Sequence, residues 1–263
     1  MKTFRVSVVI SAMLCICEIP CDEIQTITPT KPSLDNSESQ LNLMSSKINE
    51  LPPTVMVVLL VRNKAHILPH FLALFERLEY PKDRIRLYIR SDHNEDDTLF
   101  IMEKWIKKWE AKRVMGYRDT YHFIDAELVP SPPERFTDES SPIGTTTMRF
   151  HHVMELKEGG LNKARSVWAD VVWFLDCDVF IANPNTLKIM AQKSNLTVYA
   201  PLLSSVGKYS NFWAGMGEDY YYRRTKDYEP ILHRENTSCF SVPLVHSSIF
   251  VNLNLKDSQN LTF

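Results

Sequence analysis

The sequence predicts an α/β protein with a mixed, mostly parallel sheet flanked by helices, and three segments carry that prediction. Thr54 to Val61 is a continuous apolar, β-branched run, as in a strand covered on both faces, and it leads into Ile67 to Leu78, whose apolar residues recur at helical spacing and stop before Pro81. Arg84 to Arg90 alternates apolar and charged residues as a strand does, then breaks at Ser91-Asp92-His93-Asn94. Asp96-Asp97-Thr98 caps the helix that follows, which runs to about Lys112. Met148 to Trp168 reads as a further helix, with Phe150, Val153, Met154, Leu161 and Ala164 on or near one face, and it feeds the apolar run that opens at Asp170. Between these units, Tyr121 to Leu128 supplies another strand. Val129 to Thr147, with four prolines, is a long loop of the kind that serves as a functional lid or lacks order.

Composition agrees with a packed domain. The chain has 263 residues, 44% hydrophobic, 11% aromatic and 24% charged, which excludes wholesale disorder. A net charge of -2 implies no global attraction to nucleic acid or to an anionic membrane, and seven glycines exclude a collagen-like chain. There is no internal repeat at a solenoid or propeller period.

The first 51 residues are expected to lie outside the fold. Lys2 and Arg5 precede the apolar run Val6 to Ile16, which is shorter than the roughly 20 residues of a membrane span, so residues 1–17 read as a secretory signal cleaved before Glu18. The other reading of this run is a short buried strand or an uncleaved anchor. Residues 18–51, rich in Thr, Ser, Asn, Gln and Pro, read as a polar linker, and the folded domain spans 52–263. No later run is apolar and long enough to span a bilayer. In the secretory pathway, Asn195, Asn236 and Asn260 head glycosylation sequons. Cys21, Cys177 and Cys239 then remain, too few for a disulfide scaffold; Cys21 paired with Cys239 and buried free thiols are both open.

The chemistry concentrates where the run from Asp170 ends. Its apolar residues stop at Asp176-Cys177-Asp178, and side chains two apart on a strand share a face, so both carboxylates can converge on a hard cation. The carboxyl ends of strands in an open α/β sheet form the ligand crevice. A divalent metal held by few carboxylates and completed by the oxygens of a substrate diphosphate fits this pair. The bland reading of such a pair is a solvated turn, but the apolar strand that delivers it favours the metal. Arg62-Asn63 and Asp92 end the first two strands and lie where a nucleotide would bind. Arg149 and Lys157 either meet phosphate or line a solvated helix face, and Trp213 either stacks on a sugar or packs in the core. His66, His70, His151 and His152 lack metal-ligand spacing and read as packed or solvated. Glu218 and Asp219 read as surface acids.

Several motifs together resemble the procollagen galactosyltransferase family. They include Val61-Arg62-Asn63-Lys64-Ala65-His66, Leu68-Pro69-His70-Phe71-Leu72, Tyr80-Pro81-Lys82, Ser91-Asp92-His93-Asn94, Arg149-Phe150 with His152-Val153-Met154, and Phe174-Leu175-Asp176-Cys177-Asp178. Tyr209-Ser210-Asn211-Phe212-Trp213 and Cys239-Phe240-Ser241-Val242-Pro243 with Val245-His246-Ser247 continue the match in order, so it extends from about Pro52 to Phe263. The resemblance implies a GT-A type domain in the endoplasmic reticulum lumen that moves galactose from UDP-galactose to hydroxylysine of collagen, with inversion and with manganese as the metal. It implies Asp176 and Asp178 as metal and diphosphate ligands, Arg62, Asn63 and Asp92 at the uridine and ribose, and His246 as a third metal ligand or a diphosphate contact. It assigns no general base. The family continues beyond the position of Phe263, so the domain is expected to be truncated at its C-terminus. A relative named as an adhesion molecule leaves a non-catalytic adhesion or collagen-binding module as the alternative.

Overall fold

The computed structural model describes residues 51–130, 135–141, 146–193, 195–205, 209–218, 221–235 and 238–263, with the backbone of a strand, β1, at Ala12–Cys15. The first expected unit forms as β2 (Val55–Leu60) and α1 (Leu68–Glu76). Leu68, Phe71, Leu72 and Phe75 of α1 are buried at spacings of three and four, which places one helical face on the sheet. Next come β3 (Ile85–Ser91) and α2 (Thr98–Val114), whose buried Met102, Trp105, Ile106 and Trp109 form a second such stripe. The expected cap is shifted by one residue: Asp97 makes no side-chain cap bond, and Asp96 Oδ1 accepts the Thr98 N–H at 3.0 Å instead.

Strand β4 (Phe123–Leu128) precedes α3 (Thr147–Ser166), and α3 leads into β5 (Val171–Leu175), all five residues of which are buried. Only the C-terminal half of α3 packs closely, through Gly160, Leu161 and Ala164; Phe150, expected on the packed face, is 54% exposed because the helix starts beyond the sheet. The rest comprises α4 (Thr186–Ala191), β6 (Val198–Pro201), the two-residue strands β7 (Phe212–Trp213), β8 (Gly215–Met216) and β9 (Tyr222–Arg223), the turn of helix α5 (Tyr228–Leu232), β10 (Cys239–Val242), β11 (Leu244–Val245) and β12 (Ser248–Asn252).

One eight-stranded sheet runs in the order β4, β3, β2, β5, β12, β6, β1, β10. Pairings β3–β4, β2–β3, β2–β5 and β1–β6 are parallel, whereas β12 is antiparallel to both neighbours and β10 to β1. The α/β architecture expected from the sequence is thus the one observed. The period of two along β2 divides the core: Val55, Val57 and Leu59 face α1 and α2, while Met56 and Val58 join the cluster with Leu161 and Ala164 of α3. Trp173 of β5 stacks on Phe250 of β12 at 4.9 Å, and Phe250 stacks on Tyr199 of β6 at 5.4 Å.

Ala12–Cys15, within the run expected to be a leader, forms β1 between β6 and β10. The remainder of 1–17, the linker up to residue 50, Cys21, Asp219 and Asn236 lie outside the described residues. Cys177 is a free, buried thiol and Cys239 is disulfide-bonded. Asn195 and Asn260 are exposed. Among the described residues no helix is long and apolar enough to cross a membrane.

Two contacts position α3 and β5 and can be tested. A Cβ on Gly160 would stand 2.8 Å from Val58 Cγ2, a stiff side chain on a central strand, so Gly160→Ala is expected to lose about 1–3 kcal/mol by urea unfolding despite the better helix propensity of alanine. Asp170 Oδ2 accepts both the backbone N–H and the hydroxyl of Thr54 at 2.7 Å, tying the starts of β5 and β2. Burial raises the Asp170 pKa, but the Thr54 bonds, Asn254 and nearby Arg84 outweigh it and hold the carboxyl below its ordinary value. A depressed folded pKa contributes stability that is present above the unfolded value and is lost as pH falls through the folded one. Asp170→Asn should therefore cost about 1–3 kcal/mol at pH 7, with the gap to the native protein closing in acid.

Candidate active site

Four strand ends assemble the site: the carboxyl ends of β2, β3 and β5, and the amino end of the antiparallel β12. After β2, Arg62 donates from Nε to the His93 carbonyl at 2.9 Å and from both terminal nitrogens to Glu139 at 2.9 and 2.8 Å. The Glu139 side chain is fully enclosed, and Arg149 lies 3.9 Å from its other face. Asn63 adopts a φ of 53°, which asparagine tolerates better than most residues. Its N–H donates to Asn94 Oδ1 at 2.9 Å and its Oδ1 accepts the Glu95 N–H at 2.7 Å, which clasps the two strand ends together. Asn63 Nδ2 is buried without a partner, a donor left free for a ligand.

After β3, Asp92 Oδ2 meets His152 Nε2 at 2.6 Å, and Asp92 Oδ1 lies 3.0 Å from His93 Nδ1, at ion-pair distance but outside hydrogen-bond geometry. Burial raises the pKa of Asp92, and the contacts with His93 and His152 more than reverse this and keep the carboxyl ionised. Among the described residues, Asp92, His93 and His152 are the group of metal-capable donors that lie within 4.8 Å of one another. Arg62, Arg90 and Arg149 line the same cleft as Asp92 and His152, so this cluster stands among guanidinium groups that oppose a cation.

After β5, the acid pair sits in a turn and not on the strand. The strand ends at Leu175, and the Val179 N–H bonds the Asp176 carbonyl at 3.0 Å, so a tight turn rather than strand pleating sets the two side chains. Both acids line a cavity of about 180 Å3 with Arg62, Asp92, Arg149 and Lys157, and a second of about 810 Å3 with Phe180, Asn183, Tyr209 and Ser247. Asp176 is half-buried; its N–H donates to the Ser247 carbonyl at 2.8 Å. Burial pushes its carboxyl pKa up and Asp178 adds to this, against Lys157, Ser247 and His246. Asp178 is half exposed and pairs with Lys64 Nζ at 2.7 Å. His246 is drawn in by a bond from its N–H to the Asn211 carbonyl at 3.0 Å, and its Nδ1 lies 3.1 Å from Ser247 Oγ. Burial lowers the His246 pKa against the attraction of Asp176, so the ring is neutral at pH 7 and free to act as a ligand. Ser247 holds a φ of 65°, and its hydroxyl meets Tyr209 Oη at 2.6 Å.

The donor set suits a hard cation. Asp176 is an ionisable carboxyl disfavoured by burial, Asp178 already holds a cationic nitrogen, and oxygen ligands match manganese or magnesium. Of the residues expected from sequence, Arg62, Asp92, Asp176 and Asp178 share the smaller cavity, while Asn63 clasps its rim and His246 stands behind Ser247. His152, read as packed or solvated, belongs to the site. Its signal was present: Arg149, His152, Val153, Leu156 and Lys157 all line the cavity at intervals that follow one helical stripe of α3. Glu139, Lys64 and Phe136 had no sequence signal. Trp213 is half-buried with Arg224 at 5.9 Å from its ring, Glu218 is exposed, and His66, His70 and His151 are solvated.

Such a sheet, with an acid pair and basic side chains lining one cleft at the carboxyl ends of its parallel strands, defines an α/β protein of the open-sheet class, whose crevice lies at those strand ends. The chain belongs to glycosyltransferase family 25: residues 52–263 match the profile of the glycosyltransferase family 25, N-terminal domain. A glycosyltransferase 25 family member of Aedes aegypti is 46% identical over 211 residues, which are 80% of this chain and 33% of that protein. The Homo sapiens protein named procollagen galactosyltransferase 2 is 40% identical over 233 residues, 89% of this chain and 35% of that one. The chain thus spans about a third of the length of the curated relatives it matches. Among solved structures, S. aureus TarS 1-349 in complex with UDP aligns with a TM-score of 0.44 at 16% identity, over 80% of this chain and 50% of that one.

The two acids should respond oppositely to neutralisation. Asp176→Asn removes a half-buried charge that desolvation disfavours and keeps a polar side chain for Ser247, so without divalent ions its melting midpoint should rise at pH 7, by about 2–4 °C for each kcal/mol relieved. Asp178→Asn loses an exposed ion pair and should leave the midpoint within about 2 °C. A midpoint for Asp176→Asn at or below that of the native protein would mean that Lys157 and the Ser247 hydrogen bond already compensate the charge.

Proposed function

We propose that this domain is the donor-binding unit of a metal-dependent galactosyltransferase of GT-A type, which transfers galactose from UDP-galactose to hydroxylysine of a collagen-like polypeptide, with inversion, in the endoplasmic reticulum lumen. The carrying observation is the acid pair Asp176 and Asp178 just beyond β5, which lines one cleft together with Arg62, Arg149 and Lys157. The names of the relatives, which include procollagen galactosyltransferases, support the choice of sugar and acceptor. The exposure of Asn195 suits glycosylation in that compartment.

In this reading Asp176 and Asp178 hold a divalent cation such as Mn2+, with His246 close enough to join them by adjustment around Ser247. When bound, that ion neutralises charge on the departing UDP. The chain's own residues do the rest. Asp92, fixed by His152, accepts a hydrogen bond from the nucleoside, and the unpartnered Asn63 Nδ2 offers a donor beside it. Arg62, Arg149 and Lys157, which line the same cleft, balance the charge of the diphosphate. The larger cavity, which shares the acid pair and is lined by Asn183, Ser204 and Tyr209, lies on the far side of the turn and suits the sugar and the acceptor hydroxyl. Inversion needs that hydroxyl to approach the face of the sugar opposite the diphosphate.

The test is transfer of radiolabelled galactose from UDP-galactose to a hydroxylysine-containing collagen peptide with Mn2+. The Asp176→Ala/Asp178→Ala variant is expected to lose about 10²–10³ in rate, the range for removal of a charge-stabilising contact, and to lose metal-dependent UDP binding. Nucleotide binding and transfer that are both indifferent to the two acids would sink the proposal. Peptide binding without any nucleotide binding would point instead to an adhesion module.

A further inference from the structure

The smaller cavity is partly filled by the chain itself. Residues 135–141 form a tight turn in which the Glu139 N–H donates to the Phe136 carbonyl at 2.8 Å and the Phe136 N–H donates back to Glu139 Oε2 at 3.1 Å. This turn lays the Phe136 ring on the wall of the cleft and sets Glu139 against two arginines that line it. The Phe136 ring stacks on His93 at 4.4 Å with the planes 25° apart, and lies 5.3 Å from His152, so a flat ring covers the histidines that flank Asp92. The Glu139 carboxylate takes both terminal nitrogens of Arg62 in a fork and stands 3.9 Å from Arg149. Two further contacts hold the turn in place: Arg135 pairs with Glu95 at 2.7 Å, and Asp138 accepts the Met148 N–H at 3.0 Å.

A planar ring over the histidines that flank Asp92 and an anion on the paired arginines are the two chemistries that a nucleoside diphosphate brings to the same cleft. We propose that residues 135–141 are an internal nucleotide mimic, with Phe136 in the place of the base and Glu139 in the place of a phosphate, which must withdraw for the donor to bind. This rests on the donor-cleft reading of the site. The physical argument is one of exclusion and charge. The enclosed Glu139 carboxylate takes the fork of the two terminal nitrogens of Arg62, and the His93 carbonyl takes Nε, so neither edge of that guanidinium is open for bidentate binding of a phosphate. A cleft open in only a fraction of molecules weakens apparent affinity by that fraction, so loosening the turn should tighten nucleotide binding. The turn also selects its replacement, since a ligand must supply both a ring and an anion to recover what Phe136 and Glu139 give up.

Calorimetric titration of the 263-residue chain with UDP and Mn2+ tests this with Glu139→Gln, Phe136→Leu and the double variant, each checked for a native melting transition. Glu139→Gln keeps the size and turn bonding of the side chain but loses the charge that occupies Arg62, and it should bind UDP about tenfold or more tightly, with the double variant tighter still. Hydrogen exchange on the unaltered protein is an independent readout that needs no variant to fold: UDP should raise exchange across 135–141. Native-like variants that bind UDP no better than the unaltered protein, or more weakly, make Phe136 and Glu139 ordinary parts of the binding surface and overturn the proposal. So does UDP-induced protection of 135–141. Absence of UDP binding by the unaltered protein and every variant removes the donor-cleft reading together with this one.

Discussion

The site depends on one pairing, the antiparallel insertion of β12 between β5 and β6. Parallel neighbours bring like ends together, so β2, β3 and β5 deliver Arg62, Asp92 and Asp176 to one edge of the sheet. An antiparallel neighbour does the reverse and brings the residues before its own start to that edge. His246 and Ser247 precede β12, and its register places Ser248 opposite Leu175, so Ser247 falls beside Asp176 and its carbonyl takes the Asp176 N–H. The stack of Trp173, Phe250 and Tyr199, with the bond from Trp173 Nε1 to Ser248 Oγ at 3.0 Å, fixes that register by burying three rings across three strands. A slip of one residue would turn the rings to the other face and separate His246 from the acids.

Around that frame the charges satisfy one another. Arg62 is held by Glu139, Lys64 by Asp178, and Asp92 by His152, each with a partner supplied by a different part of the chain. Asp176 is the exception, with burial outweighing the nearby Lys157 and His246. The cleft therefore stores an acid short of positive charge next to arginines already occupied by an anion. Both conditions are relieved by the same pair of ligands, a cation at the acids and an oxyanion at the arginines.

Much of this frame is legible residue by residue. The β-branched run at Thr54–Val61 identifies a doubly covered strand because both faces must be apolar, whereas the division of the core between α1 with α2 on one side and α3 on the other is a product of the fold. Arg149 and Lys157 mark the ligand-facing stripe of α3, and the same helical period contains His152. The acid pair is legible as a pair but not as a turn, since the strand ends one residue before Asp176 and nothing in Phe174-Leu175-Asp176 marks that point. Asp97 looks as good a cap as Asp96, and only the backbone path into α2 chooses between them.

The sequence by itself determined the α/β class, the alternation of elements, and the residue types that end the parallel strands, because periodicity and strand-end chemistry are local and survive without neighbours. Tertiary structure decided which of those residues meet. The fork of Glu139 on Arg62 joins positions 77 apart, the contact of His152 with Asp92 joins positions 60 apart, and Ser247 reaches Asp176 from the far end of the chain. Such contacts follow from strand order and direction, which no single segment encodes, and they convert a row of polar strand ends into one cleft lined by both acidic and basic side chains.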